Sequence, residues 1–218
     1  MYKRKLKYIM IEYSDKDLSY IDELCEYIEQ SCDEIISFLD INKFEEKVNV
    51  KLWDNLENFR KCYKNKGFYL DENGEVRKWI CGFSDENIVH TLCLDEYKKT
   101  KSHENNTLQD LQFLVMHEFT HSCHAKINKS YYAWLGEGLA TTLSHQMENT
   151  DRIFNFTLEQ AMKGGSDYRN YHTMFSYVYE TYGRDYILSL IKSNELLKTA
   201  TPKLYKETVK AYGNNKSK

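Results

Sequence analysis

The sequence predicts an α+β fold: a small N-terminal mixed sheet with helices, followed by a mostly helical C-terminal lobe. Three observations point there. The strand-like stretches, short runs of alternating or continuous apolar residues, all fall before residue 95. Beyond residue 107 the apolar spacing is that of helices. No internal repeat or linker stands out in the 218 residues, and a single proline interrupts them. The chain therefore reads as one compact domain of two lobes, residues 1–106 and 107–218.

Taken in order, the basic start Lys3-Arg4-Lys5-Leu6-Lys7 reads as a solvated face, and Lys7 to Glu12 as a short strand. A helix is expected from Leu18 to about Leu39, with Ile21, Leu24, Cys25, Ile28, Cys32, Ile35 and Leu39 as its apolar side. Val48 to Trp53 alternates as a strand, Leu56 to Tyr63 reads as a helix, and Asp71-Glu72-Asn73-Gly74 is a turn signal. Trp79 to Phe83 and Ile88 to Leu94 form a hairpin around Ser84-Asp85-Glu86-Asn87. Leu108, Leu111, Leu114 and Val115 carry a helical stripe, with Thr107 as N-cap and Asp110 completing a box-like start. Asn128 to Ser130 breaks that helix, and a second begins near Trp134. Gly164-Gly165-Ser166-Asp167 is a loop, and Gly183 is the stop of a helix carrying Tyr171. Asp185 to Lys192 is helical. Thr201-Pro202 is an N-cap and first-turn pair for a last helix reaching Tyr212, and the tail from Gly213 frays.

Inside the helix that starts at Leu108 lies His117-Glu118-Phe119-Thr120-His121. Positions i and i+4 share one helix face, so both imidazoles reach one metal ion from the same side. Glu118, offset around the helix, is poorly placed to ligate with them and well placed to reach a metal-bound water; this is the H-E-x-x-H pattern of zinc hydrolases. A catalytic zinc takes three protein ligands and keeps a position open. Glu137, in the first turn of a helix returning antiparallel to the first, faces the two histidines, and Gly136 and Gly138 on either side permit close backbone approach. Other donors fit less well. His124 lies about 10 Å along the axis from His117 and reads as a helix-surface or core-edge residue. Cys123 points the wrong way and reads as a buried reduced thiol.

His-Glu-Phe-Thr-His followed by Trp134-Leu135-Gly136-Glu137-Gly138-Leu139-Ala140 resembles the gluzincin, or peptidase MA-like, metallopeptidases, strongly over residues 107 to 145. The metzincin pattern, which wants Gly at 124 and His at 127, is absent: the chain has His124 and Ile127. The resemblance implies a zincin-like fold with an active-site cleft between its lobes. It implies zinc held by His117, His121 and Glu137, with Glu118 as general base in peptide hydrolysis. Gluzincins supply an oxyanion donor from a helix downstream, and the run from Tyr168 to Gly183 is similar to that segment. By that likeness Tyr171 is the first choice, with Tyr168 and His172 behind it. The strand 88–94 becomes the edge strand beside the cleft, able to hold an extended peptide. One departure stands out. Where the thermolysin-like branch has an aspartate four residues after the ligand glutamate, this chain has Thr141, so the partner that orients the histidines is unassigned. No Gly-x-Met-x-Asn type exopeptidase motif precedes the helix.

The expected function is thus a zinc metallopeptidase with a peptide or protein substrate. The alternatives are a catalytically silent gluzincin-like binding module and a zinc hydrolase of a non-peptide amide or ester. A formal charge of −3 leaves no nucleic-acid footprint. The apolar run Tyr8 to Ile11 is too short for a signal peptide, and no stretch approaches transmembrane length. Cysteines 25, 32, 62, 81, 93 and 123 show no C-x-x-C spacing and read as reduced thiols. Together these place the protein in the cytoplasm, away from nucleic acid and membrane.

Overall fold

The computed structural model describes residues 1–213 apart from 69, 130 and 131. Ser130, in the expected break, and the tail beyond Gly213 lie outside the described residues. The chain is α+β and divides into two compact units: residues 1–37 with 41–122, and residues 38–40 with 123–218.

The first unit is built on a five-stranded mixed sheet. Its strands are β1 (Tyr2–Lys5), β2 (Ile9–Tyr13), β3 (Val48–Trp53), β4 (Gly82–Asp85) and β5 (Ile88–Leu92), in the order β1-β2-β3-β5-β4. β2 pairs parallel with β3, and β3 parallel with β5. Each parallel pair needs a crossover, and a helix lies in each: α1 (Ile21–Phe38) and α2 (Leu56–Asn65). All seven residues expected on the apolar side of α1 are buried, as are Val48, Val50 and Leu52 of β3. A capping box from Ser14 to Asp17 fixes a 3-10 turn before α1.

β1 was not expected. It pairs antiparallel with β2 from Tyr2↔Tyr13 to Lys5↔Met10. Two of its three basic residues are ion-paired, Lys3 with Glu12 at 2.5 Å and Arg4 with Asp22 at 2.6 Å, and Lys7 just beyond it reaches Asp33 at 2.7 Å. The basic start is therefore a solvated face, and also a strand.

A hairpin forms where one was expected, but its first strand is Gly82–Asp85 and not 79–83: Ser84 and Asp85, expected in the turn, are paired, from Gly82↔Thr91 to Asp85↔Ile88. The edge assignment needs correction. β5 is interior, bonded to β3 on one side and β4 on the other, so the outer strand is β4 and not 88–94. The reason is in the residues: Val89, His90, Thr91 and Leu92 are all buried, as in a central strand, while β4 is mostly half-exposed. After β5 come the short α3 (Leu94–Lys98) and then α4 (Leu108–Ile127). Thr107 and Asp110 close the expected box: the Asp110 carboxylate accepts the Thr107 N–H at 2.7 Å, and Thr107 Oγ1 accepts the Asp110 N–H at 3.4 Å.

The second unit takes the last turns of α4 and then α5 (Ala133–Leu143), α6 (Leu158–Lys163), α7 (Tyr168–Lys192) and α8 (Asn194–Tyr212). α5 packs along α7, and α7 against α8. Gly183, with φ 81° and ψ 174°, breaks α7 as expected of a stop, although helix resumes at once beyond it. The start of the last helix is corrected. Ser193 caps α8, accepting the Leu196 N–H at 3.2 Å, and Thr201-Pro202 lies inside it. The buried side Leu197, Thr201, Leu204 and Thr208 carries one helical face straight through the proline. Thr201 Oγ1 donates to the Leu197 carbonyl at 2.7 Å within that turn. Among the described residues no helix is long and apolar enough to cross a membrane.

Candidate metal centre

α4 is buried almost all round. Leu111, Val115, Met116, Phe119 and Cys123 are fully buried, and so are the polar Thr120 and His124. A helix apolar on one side only would leave its charged groups in water; here His117, Glu118 and His121 are buried too. Placing titratable groups in such a helix is costly unless they have partners, which makes it a place to look for chemistry.

His117 and His121, one turn apart, turn their Nε2 atoms toward each other at 3.1 Å. Their ring centroids are 4.8 Å apart at 77°. Two nitrogens on a tetrahedral zinc, each about 2.05 Å from the metal, stand about 3.3 Å apart. The pair is therefore preset close to that edge length. Glu137 in α5 completes the group: His117, His121 and Glu137 each offer one ligand atom, all within 4.8 Å of one another. Two imidazoles and one carboxylate are a donor set that zinc and other first-row divalent ions accept.

Glu118 has a distinct neighbour. A Cβ built on Gly82 would stand 3.0 Å from Leu114 Cδ1 and 3.4 Å from Glu118 Cγ. The outer strand β4 thus runs close against the Glu118 stem where it has no side chain. Gly82 was not singled out from the sequence; the signal was a lone glycine inside the expected strand 79–83, which marks close backbone approach.

The downstream candidates separate. Tyr171 is buried, and its hydroxyl oxygen accepts the Ser166 N–H at 2.9 Å. Burial raises its pKa, the Ser166 amide opposes that, and the Glu137 carboxylate raises it further, so phenol and carboxylate share one electrostatic neighbourhood. Tyr168 is half-buried, its ring 6.3 Å from that of Tyr171. His172 is engaged elsewhere: Nδ1 lies 3.1 Å from Thr142 Oγ1, and Nε2 lies 3.5 Å from Ser176 Oγ. Burial lowers its pKa, helped by the Arg152 guanidinium. Thr141 donates to the Glu137 and Gly138 carbonyls at 2.7 and 3.2 Å, so its hydroxyl is occupied by its own helix. His124, expected at the surface or core edge, lies fully inside, because α4 is enclosed on the side where an amphipathic helix would meet water. Burial pushes the Cys123 thiol up, and Cys123 is not among the residues whose ligand atoms converge.

Comparisons of the chain with family models, with curated proteins and with solved structures return no match.

Proposed function

We propose that the chain is a zinc-dependent metallopeptidase of gluzincin, zincin-like type, hydrolysing a peptide or protein substrate inside the cell. The observation that carries this reading is the meeting of His117, His121 and Glu137 ligand atoms within 4.8 Å, with Glu118 next in sequence to the first of them. A zinc ion held by these three residues would supply Lewis acidity, activating a water and polarising a substrate carbonyl. The protein's own groups do the rest. Glu118 takes the proton of the attacking water and passes it to the leaving amine. Tyr171, whose oxygen already accepts the Ser166 N–H, keeps its own O–H to donate toward the oxyanion. β4, the outer strand beside Glu118, is the edge along which an extended peptide would lie.

Two variants test the assignment. Wild-type protein is expected to hold about one zinc per chain by elemental analysis, and His121→Ala to lose it. Glu118→Gln is expected to keep the zinc and to lose cleavage of library peptides by about a thousandfold or more. Full zinc retention in His121→Ala would remove the ligand set, and wild-type turnover by Glu118→Gln would remove the base. A zinc-loaded protein that cleaves no peptide would support a silent binding module instead.

A further inference from the structure

Tyr171 is set in place from two directions. Its backbone lies at the point where α5 and α7 touch: a Cβ built on Gly138, the residue after Glu137, would stand 2.7 Å from the Tyr171 carbonyl oxygen. Its side chain ends on the Ser166 amide. Ser166 follows two glycines with left-handed backbone, Gly164 at φ 95° and Gly165 at φ 86°, a segment with little stiffness of its own. Something must hold it, and the side chain that does so is Asn170.

Asn170 is 1% exposed, and both its polar atoms are engaged. Its Oδ1 accepts the Asn155 N–H at 2.8 Å, and its Nδ2 donates to Asn155 Oδ1 at 2.9 Å and to Ser166 Oγ at 3.0 Å. Gln160 adds a bond from Nε2 to the Gly165 carbonyl at 3.1 Å. A buried amide with complete bonding is a rigid fixture, because any shift leaves a desolvated donor or acceptor unpaired. The loop amide that grips Tyr171 is thereby referenced to α7 itself, four residues along from Ser166.

We propose that Asn170 is a positioning residue that acts through Ser166 to fix the Tyr171 hydroxyl next to the Glu137 segment. The proposal rests on the metallopeptidase reading with Tyr171 as oxyanion donor. Asn170 touches no reacting atom; it removes the freedom of the Gly164–Ser166 loop, and with it the freedom of the phenol. Small displacements of such a donor weigh on kcat far more than on substrate affinity.

The test is a kinetic double-mutant cycle on zinc-loaded protein. The probe is a quenched-fluorescent peptide taken from library profiling of the wild type. Asn170→Ala is expected to lower kcat about tenfold with KM held within about twofold. In a Tyr171→Phe background the same change is expected to cost less than about twofold, since the group it positions is gone. Ser166→Ala, which keeps the amide but removes the hydroxyl that Asn170 grips, carries the same test if Asn170→Ala fails to fold. Wild-type kcat in the single variant, or an equal loss in both backgrounds, overturns the positioning role while leaving the peptidase reading intact. Wild-type turnover by Tyr171→Phe overturns the positioning role as well. A zinc-loaded wild type that cleaves no library peptide overturns both.

Discussion

Trp53 donates its indole N–H to His90 Nδ1 at 3.1 Å, and the imidazole stacks on Phe83 with centroids 4.4 Å apart at 16°. The bond fixes the neutral tautomer with its proton on Nε2. Burial then pushes the His90 pKa down to about 4. The sign follows: the folded value lies below the unfolded one, so the stabilisation is complete above the unfolded pKa of about 6.5 and fades as pH falls toward 4. By pH 5 the loss reaches up to about 2 kcal/mol. We expect urea midpoints to show wild type losing that much more than His90→Phe between pH 7.5 and pH 5; parallel pH profiles would sink the argument. The Phe variant keeps the stacked shape, and half-exposed Trp53 can turn its N–H to water. Nothing in the sequence marked His90, because the contact depends on strand register, Lys51↔His90 and Phe83↔His90, which short apolar runs do not specify. The convergence of His117, His121 and Glu137 was legible because two of them are set by helix periodicity and the third lies one short connection away.

α5 and α7 pack tightly at one point, and one residue permits it. A side chain at position 138 would stand 2.5 Å from Phe175 Cβ as well as 2.7 Å from the Tyr171 carbonyl, a collision with fixed atoms of α7 and not with a flexible tip. Gly138→Ala therefore forces the two helices apart, with an expected loss of about 2–3 kcal/mol in chemical unfolding. Gly74, with open space around it but φ 73°, is the contrast, since only backbone strain opposes a side chain there and about 1 kcal/mol is expected for Gly74→Ala. If Gly138→Ala were the milder of the two, close packing of α5 on α7 would not be what that glycine provides. Elements were legible where a period and a cap agreed: α1 by its buried side, α4 by the Thr107–Asp110 box. They were misread where a local rule met a tertiary one. Thr201-Pro202 looks like a helix start, yet a buried face continuous from Leu197 to Thr208 carries the helix across it. β1 looks like a charged surface because Lys3, Arg4 and Lys5 make up most of it, and its strand character comes from pairing with β2.

For the whole molecule, the consequence of the candidate centre is a link between metal and stability. The three ligand atoms converge only in the folded chain, since His117 and His121 need one helical turn and Glu137 needs α5. An ion that binds the native state and not the unfolded one stabilises it by mass action. At free zinc a hundredfold above the dissociation constant the gain is about 2.7 kcal/mol. In a chain of 218 residues that raises the melting temperature by about 5–10 °C over chelator-treated protein. The shift separates binding from chemistry. Glu118→Gln removes the proposed base and keeps all three proposed ligands, so it is expected to show the full increase on adding zinc in calorimetry. His121→Ala removes a proposed ligand and is expected to show less than about 2 °C at the same concentration. An equal rise in His121→Ala would mean that zinc stabilises the protein from some other place. The same rise in wild type and Glu118→Gln, with activity only in the wild type, would tie the metal to His117, His121 and Glu137 and the proton transfer to Glu118.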